Sequence, residues 1–97
     1  MAIGSRPRGE RREVHYSGHV QGVGFRYTVQ HLAAGFSVAG YVRNLADGRV
    51  QLVAEGAPAE LDGFLEAIAQ RMADHVRNAS VDVRPAMGEF SGFEVRY

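Results

Sequence analysis

The apolar positions of this chain switch several times between a two-residue period and one near 3.6 residues. Val14 and Tyr16 alternate with His15 and Ser17, as in a half-buried strand. From Phe25 the period lengthens. Phe25, Val29, Leu32, Ala33 and Phe36 fall at i, i+4, i+7, i+8 and i+11, which predicts one buried helix face. Gly35 is expected to end that helix in the left-handed conformation. Val38, Gly40 and Val42 alternate with Ala39, Tyr41 and Arg43 in a second strand that runs to Asn44. Leu45 to Arg49 forms a turn, with Asp47-Gly48 as its hairpin signal. Val50, Leu52 and Ala54 alternate with Gln51, Val53 and Glu55 in a third strand. Pro58 suits the first turn of a second helix, whose apolar face is Leu61, Phe64, Leu65, Ile68 and Met72. Ser80 to Arg84 and Phe93 to Tyr97 alternate as a fourth and a last strand.

The order is β-α-β-β-α-β with a short C-terminal strand. Two amphipathic helices cover one face of such a sheet. The pattern therefore predicts an α+β, two-layer ferredoxin-like sandwich with a mostly antiparallel sheet. Many activities share this fold, so it does not identify one. Residues 1–12 carry no apolar period and are polar from Ser5 onward. They are expected to be a disordered basic leader ahead of one domain at 13–97.

Composition narrows the chemistry. At 97 residues and 45% hydrophobic, the chain supplies one core. No apolar run approaches the roughly 18 residues of a membrane span, and Met1 to Arg12 lacks the apolar stretch of a secretory signal. A cytoplasmic monomer is expected. There are no cysteines, which excludes disulfides, zinc–thiolate sites and a cysteine nucleophile. The 11 basic residues are all arginine, which excludes lysine Schiff-base chemistry and a P-loop lysine. They balance 11 acidic residues, and zero net charge argues against nucleic acid as the main partner.

The segment Gly18 to Arg26 joins a strand to a helix. Its glycines at 18, 22 and 24 let successive backbone N–H groups turn toward one point. The helix adds its own free N–H groups and the positive end of its dipole, and such a place binds an anion. Arg26 sits in the first helical turn, where a cation opposes the dipole. A planar guanidinium that matches two phosphate oxygens gives it a reason to be there. Neither the P-loop pattern nor the dinucleotide fingerprint is present.

The string Ser17-Gly18-His19-Val20-Gln21-Gly22-Val23-Gly24-Phe25-Arg26-Tyr27 closely resembles the signature of the acylphosphatase family. Gly40-Tyr41-Val42-Arg43-Asn44 with Asp47-Gly48-Arg49-Val50 resembles its second signature, and Ser91 to Tyr97 resembles its C-terminus. The similarity covers roughly residues 13–97. It implies metal-independent hydrolysis of the carboxyl-phosphate bond of small acyl phosphates, with no cofactor. By motif match Arg26 takes the place of the phosphate-binding arginine, and Asn44 that of the asparagine holding the attacking water. Backbone N–H groups of Val20, Gln21, Gly22, Val23, Gly24 and Phe25 would form the phosphate cradle.

Two other functions fit the same pattern: a non-hydrolytic module that binds phosphate or carbamoyl phosphate, and an RNA-binding domain stacking bases on Tyr16, Tyr41 and Tyr97. These tyrosines read as sheet residues with wet tips. His19 reads as a loop side chain, and His15, His31 and His75 lack metal-ligand spacing. Glu60, Asp62 and Glu66 read as the solvated face of the second helix. The family usually has a Gly-Pro-rich turn where this chain has Arg71 to Ala79, which leaves the end of the second helix open.

Overall fold

The computed structural model describes residues 9–97. Its elements are β1 (Glu10–Gly18), α1 (Phe25–Ala33), β2 (Val38–Asn44), β3 (Val50–Gly56), α2 (Pro58–Arg71), β4 (Val76–Pro85) and β5 (Phe93–Arg96). They form one five-stranded sheet in the order β4-β1-β3-β2-β5. β3 runs antiparallel to both β1 and β2, β4 runs antiparallel to β1, and β5 adds in parallel to β2. The ferredoxin-like order read from the sequence is the one observed.

Register explains why both helices share a face. Val14, Leu52 and Val42 lie in one row across β1, β3 and β2, all fully buried. Phe25, Val29 and Ala33 of α1 and Leu61, Phe64 and Ile68 of α2 join the same core as that row. Burying a large side chain of this kind contributes roughly 1.5–3 kcal/mol.

The sheet's other face is also partly covered, which the alternation of β3 did not foretell. Gln51 and Glu55 read as solvent-facing but are buried. The segment between β4 and β5 crosses this face and turns its backbone toward Glu55. Met87 and Gly88 donate N–H bonds to that carboxylate at 2.9 and 3.0 Å, and Arg11 Nε donates at 2.8 Å. Gln51 accepts from Arg43 and donates to Glu13. Burial pushes the Glu55 pKa up. The bonds from Met87, Arg11 and Gly88, with the Arg11 charge, outweigh it, and the pKa lies below the ordinary carboxylate value.

A depressed pKa contributes stability that is complete above the unfolded value, about 4.3, and is lost as pH falls through the folded one. Glu55→Gln is therefore expected to destabilise the fold at neutral pH by on the order of 1–3 kcal/mol. Denaturant titrations of the two proteins should converge as the medium is acidified below that value. A gap that stays constant down to acid pH would contradict the role given to the carboxylate.

Several boundaries differ from expectation. The ordered strand begins at Glu10, so Glu10, Arg11 and Arg12 belong to β1 rather than to a leader; residues 1–8 of that leader lie outside the described residues. β4 begins at Val76, four residues before Ser80, because β1 pairs with it along its whole length. Most of β4 is exposed at the sheet edge, so no apolar period marked it. Gly35 is not left-handed. α1 unwinds through short i to i+3 bonds from Ala34, Gly35 and Phe36. α2 ends without glycine or proline: Met72 is buried, and its carbonyl accepts from both His75 and Val76 as the chain turns into β4. Glu60 accepts from the Ser37 N–H and Asp62 from Arg12, so these two carboxylates fasten α2 rather than merely face solvent.

Candidate active site

The loop after β1 is fastened at both ends. The His19 N–H donates to the His75 carbonyl at 2.9 Å, and Val20 and Phe25 are buried. The Phe25 ring packs 5.0 Å from that of Tyr16. Tyr16 is thus a core residue rather than one with a wet tip, and burial raises its phenol pKa.

Between these anchors Gly22 and Gly24 adopt φ of 81° and 75°, a conformation that side chains disfavour. Gly24 is also the residue before α1, and no side chain caps the helix there. Among the described residues, the N–H groups of Val20 through Tyr27 donate to no acceptor, and the first helical bond is Thr28 N–H to the Gly24 carbonyl. A run of undonated N–H groups ahead of a helix N-terminus is an anion cradle.

Asn44 enters from the other side. It is the last residue of β2, opposite Val50 of β3. The turn that follows is closed by Leu45 N–H to the Arg49 carbonyl at 2.8 Å. The Gln21 side chain ties the loop to this turn, donating to the carbonyls of Leu45 and Arg49 at 2.8 and 3.0 Å. The loop and the strand end therefore hold a fixed spacing.

Between them lies a cleft of about 290 Å³ lined by Val20, Gly22, Gly24, Phe25, Arg26, Tyr27 and Asn44. Of the residues expected from the sequence, Arg26, Asn44, Val20, Gly22, Gly24 and Phe25 meet there. The side chains of Gln21 and Val23 do not. Gln21 turns to the neighbouring hairpin, and Val23 packs on the core.

Arg26 is held from a direction the sequence did not single out. Its guanidinium lies 4.7 Å from the centre of the Tyr97 ring, and its Nη1 donates to the Arg96 carbonyl at 3.2 Å. The Tyr97 and Tyr27 hydroxyls share a hydrogen bond of 2.7 Å, which raises the Tyr97 pKa above its ordinary value. Parallel pairing of Arg43 with Arg96 brings the end of β5 beside the end of β2, where Asn44 lies. Tyr97 read as one more alternating sheet residue, and only the pairing of β5 with β2 sets it against Arg26. An exposed cation–aromatic contact contributes about 0.5–1 kcal/mol. Tyr97→Ala is thus expected to weaken inorganic phosphate binding about two- to fivefold by loosening Arg26. Tyr97→Phe, which keeps the ring, should restore it, and phosphate inhibition constants for both variants check this.

The cleft offers hydrogen-bond donors, a guanidinium and an amide, with no carboxylate in its lining. Among the described residues, no group of three or more His, Cys, Asp or Glu could hold a metal ion. No helix among them is long and apolar enough to cross a membrane. Such a site can grip a phosphoryl group by fixed electrostatics and orient a water, but an amide cannot take a proton from it.

A family model described as Acylphosphatase matches residues 12–95. The acylphosphatase of Methanospirillum hungatei JF-1 is 44% identical over 82 residues, spanning 82% of this chain and 89% of that protein. The crystal structure of acylphosphatase from Bacillus subtilis superposes with a TM-score of 0.81 at 34% identity, covering 91% of this chain and 99% of that one. The chain is also similar to T. kodakarensis HypF, at 27% identity and a TM-score of 0.78. That match covers 91% of this chain but 12% of HypF, so a like unit also occurs inside a much longer protein.

Proposed function

The chain belongs to the acylphosphatase family and acts on acyl phosphates, and from that premise we propose how its cleft performs the hydrolysis. The substrate phosphate sits in the cradle of N–H groups from Val20 to Phe25, with the Arg26 guanidinium on two of its oxygens. Asn44 holds a water in line with the bond to be broken. The observation carrying this reading is the meeting of undonated N–H groups, guanidinium and amide in one cleft.

The chemistry suits those groups. Water attacks phosphorus, a new P–O bond forms, and the bond from phosphorus to the acyl oxygen breaks. The electron pair leaves on a carboxylate whose conjugate acid has a pKa of about 4–5. No general acid is required. The proton of the water passes to an oxygen of the substrate's own phosphate. Charge on the phosphoryl oxygens is met by donors already in place, which is the main demand of phosphoryl transfer. Asn44 contributes orientation. No metal or cofactor takes part, and the protein acts as a cytoplasmic monomer.

The likeness to a short stretch of HypF favours one second reading, a phosphate-binding module that does not turn over. Steady-state hydrolysis of benzoyl phosphate in the presence of a chelator separates the two. Turnover with inorganic phosphate as a competitive inhibitor supports the hydrolase. The RNA-binding alternative loses one of its three stacking residues, since Tyr16 is buried under Phe25.

A further inference from the structure

β4 is an outer strand of the sheet. It pairs with β1 and, among the described residues, with no other strand. The register is regular along 78–85 and shifts only at the strand's start, where Gly18 lies opposite Val76 and Arg77 is the extra residue. The Ala86 N–H donates to the Gly9 carbonyl and continues the same register. Backbone groups alternate in direction along an antiparallel strand. Even-numbered residues of β4 therefore bond to β1, while Ala79, Val81 and Val83 point their N–H and C=O groups outward. Pro85 takes the next outward position, where a missing N–H costs no bond to β1.

The strand has little of what keeps such edges apart. Sheet edges are commonly blunted by being short, bulged or charged. At the opposite edge β5 has only four residues. On β4, Val81 and Val83 are 51% and 54% exposed. They lie with Ala79 on the helix-side face, level with Val14, Arg12 and Tyr16 of β1. The charges of the other face are spent within the strand: Arg84 Nε and Nη2 donate to the Asp82 carboxylate at 2.9 and 2.6 Å.

This edge is complementary to itself in one register. Two copies of a strand related by a two-fold axis run antiparallel, and the axis passes through one residue. An axis at Asp82 sets two carboxylates directly opposite each other, which is destabilising. An axis at Ser80 sets Val83 against the irregular start of the strand at Arg77. An axis at Val81 pairs Val81 with Val81 and each Ala79 with a Val83, so that one face of the seam is wholly apolar. On the other face it pairs Ser80 with Asp82 and Asn78 with Arg84, a donor to a carboxylate and an amide oxygen to a guanidinium. The outward backbone groups of residues 79, 81 and 83 then meet one another in bonded pairs.

We propose that β4 pairs with the β4 of a second copy of this chain about a two-fold axis at Val81, joining the two sheets into one. No residue lining the cleft lies on β4, so each chain keeps its own site and hydrolyses on its own. A single strand pair buries less than the roughly 1,200 Å² of a stable interface, so the pairing is weak, with a Kd between about 1 µM and 1 mM. At the dilution of an enzyme assay the chains are single.

Sedimentation equilibrium of the parent protein from about 1 µM to 1 mM should show a monomer–dimer equilibrium. Over the same range, amide exchange at Ala79, Val81 and Val83 should slow about tenfold once nine-tenths of the chains are paired, while Ser80 and Asp82 are unchanged. Val81→Asp and Val81→Lys each place like charges opposite one another and should raise the Kd at least about tenfold, with a cooperative denaturant melt showing that each is folded. An equimolar mixture of the two should associate again, because residue 81 faces its own copy in this register alone. A parent that stays monomeric to about 1 mM overturns the inference, and so does a dimer whose exchange at the three outward amides does not slow. Undiminished pairing of both variants places the contact on another surface and overturns it too, as does a mixture no more associated than either variant by itself.

Discussion

Asn44→Ala is expected to bind inorganic phosphate within about twofold of the parent while kcat falls about 100- to 1,000-fold, the usual cost of removing one placed polar group from a reacting centre. The split follows from what each group touches. A bound phosphate is held by the cradle and Arg26, and both survive the substitution. The water that Asn44 orients matters only as the reaction begins, so its loss appears in turnover and not in ground-state affinity. The fold should not register the change. Asn44 is half-buried at a strand end, and its side chain makes no hydrogen bond among the described residues. Stability should stay within about 0.5 kcal/mol. The measurements are kcat on benzoyl phosphate, the phosphate inhibition constant and a denaturant melt on one preparation. An Asn44→Ala protein that turns over at the parental rate would remove the water-holding role.

Arg26→Ala should lose both properties. Two charge-assisted hydrogen bonds to phosphate disappear, at about 1.5–3 kcal/mol each for bonds to a charged group. The phosphate inhibition constant is expected to rise at least about 100-fold. kcat/KM should fall further, by about 1,000-fold or more, because the same fork meets the charge that builds on the phosphoryl oxygens. Arg26→Lys should restore part of the affinity and little of the rate, since an ammonium supplies charge without the planar fork. A melt distinguishes a functional arginine from a structural one. A cation in the first turn of α1 opposes the helix dipole by about 0.3–1 kcal/mol, and its stacking on Tyr97 offsets a similar amount. Arg26→Ala should therefore be about as stable as the parent while being nearly inactive.

Much of this architecture is legible in the apolar periods, because the elements that build the core are the ones that show them. The apolar periods mark α1, α2, β2 and β3 to within a residue or two, since Val29, Val42, Leu52, Phe64 and Ile68 must all reach one buried face. The sheet edge was less legible. β4 is exposed along most of its length, and Glu10 to Arg12 of β1 pair with it without being fully buried, so neither needed an apolar alternation to form. Glu55 illustrates a second limit. Its partners are the backbone of Met87 and Gly88, more than thirty residues away, and no local pattern announces a carboxylate that folds a distant strap onto the sheet.

The candidate site divides in the same way. The glycines and Arg26 were visible because a cation at a helix start and three glycines ahead of it are unusual. Asn44 stood out through the family resemblance, as an asparagine at a strand end is ordinary. The positioning roles of Tyr97 and Gln21 leave no local signal in the sequence. Their contacts join the loop and helix to β5 and to the β2–β3 turn, and both depend on which strands become neighbours.

The most direct measurement is steady-state hydrolysis of benzoyl phosphate by the purified protein in the presence of a chelator, with inorganic phosphate added as an inhibitor. Turnover that persists without free metal, with phosphate competing against substrate, is the predicted result. Phosphate that binds to the protein while benzoyl phosphate remains intact would contradict it.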